Sequence, residues 1–136
     1  MTKKTRRTRV NRDEAAHYAA VAGQFCQAAE LAREFGYWNA AGLLFVHSAI
    51  AFADAVAIAR KGEKSTSENH MDSLVLFDSV TSTLKGRDEA REHLYRIIED
   101  KNRVSYSGDS YRRSDLEKLA AHTERFRAFA EKTLKA

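Results

Sequence analysis

From Arg12 onward, apolar residues recur every three to four positions in long runs separated by short polar breaks. Tyr18, Ala22, Phe25, Ala29 and Ala32 line one face of a helix that the spacing predicts over 12–35. Asn11 with Glu14 reads as its N-cap and capping-box partner, and Gly36 as its stop. A second helix is predicted over 37–61, ended by Gly62. It is apolar on nearly every side, with Leu43, Leu44, Phe45, Val46, Ile50, Phe52, Val56 and Ile58. Such a helix belongs at the centre of a bundle or is shared with a second subunit.

The polar stretch 62–68 reads as a loop, and Ser67 or Asn69 as the cap of a third helix reaching about Leu84, with Leu74, Phe77, Val80 and Leu84 inward. Lys85-Gly86 breaks the pattern. A fourth helix is expected over 87–106, burying Ala90, Leu94, Ile97 and Ile98. A turn at 107–113 follows, holding Gly108 and Asp109. Ser114 with Glu117 reads as a second capping box, opening a fifth helix to about Thr133. No strand pattern and no internal repeat is visible. The expected fold is all-α: a single-domain, up-and-down bundle of about five helices.

Composition sharpens this picture. The chain contains no proline and only six glycines, as long helices require. Its 136 residues suit one domain. A single cysteine, Cys26, excludes an internal disulfide and fits a reducing, cytoplasmic setting. The run 40–59 is long and apolar, but His47, Ser48 and Asp54 within it favour a buried helix over a membrane span. The net charge of +4 is uneven. Lys3, Lys4, Arg6, Arg7, Arg9 and Arg12 crowd the first 12 residues, leaving 17 basic against 19 acidic residues from Asp13 on. Residues 1–12 are therefore expected as a flexible basic tail, able to attract phosphates, ahead of a helical domain over 13–136.

Standard enzyme signatures are missing. There is no Gly-rich phosphate loop, no nucleophile elbow, no paired cysteines and no His-Glu-x-x-His. Neither a metal site nor a cofactor is expected. Two features stand out instead. His47 and Asp54, seven residues apart, project from nearly one side of the apolar second helix and need polar partners. They bond to neighbouring helices, fix a dimer register, or line a polar cleft. The segment Lys101-Asn102-Arg103-Val104-Ser105-Tyr106 offers several donors to an anion near a helix C-terminus.

These stretches, with Asn39-Ala40-Ala41, the run His47 to Ala55, and Glu68-Asn69-His70, make the chain from Asp13 onward resemble the HEPN superfamily of small α-helical proteins. Many members of that superfamily are metal-independent endoribonucleases acting as dimers. Their motif is an Arg with a polar neighbour and a His four to six residues on. Such a His moves a proton while the Arg steadies phosphate charge. In this chain Lys101 stands where the Arg would be, Asn102 matches the polar neighbour, and Tyr106 stands where the His would be. Lys lacks the bidentate fork, and Tyr is a poor base at neutral pH.

The resemblance thus implies a homodimer that binds RNA or nucleotide through a degenerate ribonuclease motif, with no catalysis expected. The ligand residues it implies are Lys101, Asn102, Arg103 and Tyr106, with His47 and Asp54 behind them. The alternatives are an active endoribonuclease (a toxin or defence effector) and a non-catalytic interaction module, such as the partner of a nucleotidyltransferase. Arg12-Asp13 with His17 and Arg87-Asp88 with His93 satisfy the motif formally. On one helix, however, residues six apart point about 120° away from each other. Arg87 and His93 would have to meet across a dimer.

Overall fold

A computed structural model describes residues 5–106 and 111–136, apart from the side chain of Tyr106. It is an all-α bundle. Helices α1 (Ala15–Glu34), α2 (Trp38–Lys61), α3 (Met71–Thr81), α4 (Arg87–Glu99), α5 (Lys101–Tyr106) and α6 (Arg113–Lys135) are joined by a two-stranded ribbon of β1 (Arg7–Arg9) and β2 (Glu63–Ser65).

Helix α2 is the axis, and every other helix packs against it. Its length and composition would let it cross a membrane, but 72% of its most apolar stretch is buried in the bundle. Phe45, Val46, Phe52, Val56 and Ile58 are buried within it. Helix α1 approaches closely because Ala22 and Ala29 face α2 with nothing larger than a methyl group. Between them the buried Ser48 hydroxyl donates to the Ala22 carbonyl over 2.8 Å. Ser48→Ala is expected to lower stability by about 1 kcal/mol, read by chemical denaturation. Opposite, Leu94 and Ile97 of α4, Leu116, Leu119 and Phe126 of α6, and Leu76 and Phe77 of α3 close the core. Arg91 and Arg87 of α4 both engage Asp78 of α3, at 2.8 and 3.5 Å.

Several expectations are corrected. The segment 62–68 is not simply loop, and residues 7–9 are not a free tail. Arg7–Arg9 pairs antiparallel with Glu63–Ser65, flanked by Val10 N to Gly62 O at 2.8 Å and Thr66 N to Arg6 O at 3.1 Å. Strands of three residues carry no apolar alternation, so only the meeting of two distant segments creates them. Asn11 caps a 3₁₀ turn over Arg12–Glu14 through its own side chain, accepting from Asp13 N at 2.9 Å.

The expected fourth helix divides at Asp100. Its carboxylate accepts from the Tyr111 hydroxyl at 2.7 Å and pairs with Arg103 at 3.4 Å. The second capping box shifts two residues back: the Arg112 backbone N–H donates to Asp115 at 3.0 Å. Glu117 instead pairs with Arg33 of α1. The turn expected around Gly108 and Asp109 lies outside the described residues.

Candidate functional site

The site begins with a stapled turn. Ser67 Oγ donates to Asp72 at 2.6 Å and accepts from Asn69 N at 3.1 Å, while Asn69 Oδ1 accepts from Met71 N at 3.0 Å. The N-cap position of α3 falls on His70 rather than on the expected Ser67 or Asn69, whose side chains instead brace the turn just before it and hold His70 beside α2. There His70 meets His47 edge to face, with ring centroids 6.4 Å apart. His47 also lies 5.9 Å from the Phe25 ring of α1.

Helix α5 completes the site. Asn39 at the start of α2 donates its side-chain amide to the Val104 carbonyl over 3.2 Å. Gly42, one turn later, lies directly under Val104 and Tyr111. This docking brings Lys101 and Asn102 to the same cleft as Asn69, His70 and Ile98, a space of about 240 Å³. Glu68, Met71 and Glu99 line it too, so the cleft carries two carboxylates beside its lysine.

The electrostatics follow from this placement. Burial lowers the pKa of His47, and the Lys101 charge lowers it further. His70 is lowered by burial first, then by Lys101 and His47. Two neutral imidazoles beside an ammonium can accept hydrogen bonds or a proton, and can donate to an anion once one enters.

Not every predicted residue joins this cleft. Arg103 turns to α6, pairing with Asp115 at 3.1 Å and Asp100 at 3.4 Å, its guanidinium 5.3 Å from the Tyr111 ring centroid. Its role here is to hold the α4–α5 corner. Asp54 lies about 10 Å along α2 from His47. Burial raises its pKa to about 6, and Lys64 of β2 partly offsets this. Lys64 itself sits over Tyr18, its Nζ 3.4 Å from the hydroxyl. The Tyr106 side chain lies outside the described residues.

Arg87 is held by Asp78 and Asp88, whereas His93 faces His122 of α6, so the two do not converge within one chain. His70 is the residue the sequence reading left out of the site. It stands 23 positions from His47, and its signals in the sequence were the capping pattern before it and its place in the Glu68-Asn69-His70 stretch. Larger clefts exist. One of about 560 Å³ lies between α1, α2 and α6, but Arg127 there is held by Glu131 at 2.9 Å. No family model, curated protein or solved structure matches this chain.

Proposed function

We propose that this chain is a HEPN-like helical protein that binds RNA or a nucleotide, as a homodimer, in the cleft between the turn into α3, the end of α4 and the start of α5, with His47 of α2 beside it. The observation that carries the reading is that His70 and Lys101 line one cleft, with His47 packed against His70 and within reach of the Lys101 charge, three groups from separate elements. The combination suits a phosphate with an adjacent hydroxyl: Lys101 supplies charge, and Asn102 and the imidazoles supply directional hydrogen bonds. Lys in place of a forked Arg, and the absence of a motif His at 106, favour binding over cleavage.

The test is RNA binding in EDTA, scored for both shift and cleavage. Lys101→Ala is expected to weaken binding about tenfold. The same experiment with RNA or inorganic phosphate has a second readout, the NMR titration of His47 and His70. An anion in the cleft draws both pKa values upward. Unchanged affinity in Lys101→Ala, together with unmoved histidine titrations, refutes this site. Cleavage abolished by His47→Ala or His70→Ala would establish the endoribonuclease instead.

A second reading has its own observation. Leu31, Phe35 and Tyr37 are 58%, 71% and 63% exposed at the α1–α2 corner, with Phe35 and Tyr37 stacked at 5.9 Å. An apolar corner of this kind fits an interaction module. A protein that assembles through this corner yet has no affinity for nucleic acid would bear that reading out.

A further inference from the structure

Five histidines scattered along the sequence carry no metal-ligand spacing, and the site described above uses only two of them. Helix packing pairs two of the others. His93 on α4 and His122 on α6 are 29 positions apart, yet their Nδ1 atoms stand 2.9 Å from each other, with ring centroids at 5.2 Å. The seam that brings them together is apolar, with Ala90 and Leu94 on one side and Leu119 and Phe126 on the other. Both rings are half-buried. As neutral groups they share one proton, one Nδ1 donating to the other.

The same spacing suits a metal. Two nitrogens cis on a six-coordinate ion, each about 2.05 Å from it, stand about 2.9 Å apart, and on a tetrahedral ion about 3.3 Å. The ion would lie off the line between the two nitrogens, so both rings would turn to aim their lone pairs at it while the helices keep their places. We propose that His93 and His122 form a divalent transition-metal site, chelating through their two Nδ1 atoms.

The proton balance is simple. In the neutral pair one imidazole carries its hydrogen on Nδ1 and the other on Nε2. Binding moves the first hydrogen to Nε2, leaving a lone pair on both Nδ1 atoms, with no net proton released. Both rings have pKa values below the ordinary histidine range, mainly through burial, so at neutral pH few protons compete. The surrounding charges are mixed. Arg125 and Arg96 oppose a cation, while Glu89, Glu92 and Asp100 favour one. Arg96 is itself paired with Glu92 at 3.0 Å.

Among the described residues, no third His, Cys, Asp or Glu completes a set of three. Water fills the remaining positions, so the ion is exchangeable. Imidazole ligands in an unconstrained geometry order the ions by intrinsic affinity, with Cu²⁺ above Ni²⁺ and Zn²⁺. This site is separate from the cleft lined by His70 and Lys101, and its test does not depend on RNA binding.

The experiment is calorimetric titration of the full chain with Ni²⁺ and with Zn²⁺ near neutral pH. It is repeated on His93→Gln, His122→Gln and, as a control, the exposed His17→Ala. One ion per chain is expected. Affinity should fall about tenfold or more in either glutamine variant, stay unchanged in His17→Ala, and decline as pH drops through the histidine range. Ni²⁺ broadening of imidazole NMR signals in the unaltered protein supplies a readout that needs no variant. It should strike His93 and His122 first. Equal affinity in folded His122→Gln and unaltered protein overturns the site, as does broadening that falls on His17, His47 or His70 instead.

Discussion

Replacing Asp54 by Asn is expected to stabilise the protein at neutral pH by about 1–3 kcal/mol, because the carboxylate is costly where it stands. Burial in the flank of α2 raises its pKa to about 6, and the Lys64 charge only partly offsets this. The unfolded chain titrates near 3.8. Between those two values the folded state holds the proton and the unfolded state does not. Stability therefore falls as pH rises through this window, and the penalty is complete above about pH 6. Asn keeps the shape without the charge. Denaturation curves of the two proteins should coincide near pH 4 and separate as pH rises.

The histidine contributions run the other way. Burial lowers the folded pKa of His47, His70, His93 and His122, so their share of stability is lost as pH falls below the ordinary histidine value. Those terms are common to both proteins and cancel in the difference. A variant less stable than the parent at pH 7 would show that Asp54 is held by an attraction stronger than its desolvation.

Gly42→Ala is expected to destabilise by about 1–3 kcal/mol, against the usual gain from replacing a helical glycine. An added Cβ would stand 2.6 Å from Val104 Cγ1 and 3.1 Å from the Tyr111 ring. Both neighbours are buried, so the relief must come from α5 and Tyr111 moving outward together. That movement strains the Asn39 bond to the Val104 carbonyl and withdraws Lys101 from His47 and His70. The variant should show two effects at once: a lower denaturation midpoint, and His47 and His70 titrating closer to the ordinary histidine value. Loss of stability with unchanged histidine titrations would mean that α5 does not position Lys101.

Much of the architecture was legible along the chain because helix periodicity is local. The all-round apolar pattern of 37–61 implied a central helix, and α2 is one. Gly62, with a positive φ of 68°, ends it as a residue without a side chain can. The inward faces of α3 and α4 match at Leu74, Phe77, Val80, Ala90, Leu94, Ile97 and Ile98, but α3 ends at Thr81, so Leu84 lies beyond it and is only half-buried. Local reasoning failed where a side chain chose a distant partner. The Asp100 carboxylate takes the Tyr111 hydroxyl from beyond the next turn, and Glu117 leaves its expected cap for Arg33.

The candidate site divides along the same line. Lys101, Asn102 and His47 stood out by residue type on a helix, but nothing in their spacing placed Lys101 and Asn102 beside His70. Arg103 looked equivalent to Lys101 from its neighbourhood in the chain, yet packing against Asp100, Asp115 and Tyr111 turns it away from the cleft. The meetings of His70 with His47 and of His93 with His122 could not be read, because spacings of 23 and 29 residues have no period that a helix or a strand repeats. By itself the sequence determined which segments are helical, which faces are apolar and which helix lies at the centre, since each depends on residues within a turn or two. Only the tertiary structure decided which polar groups meet, because ion pairs, imidazole contacts and the β1–β2 ribbon form between segments that burial of the apolar faces happens to bring together.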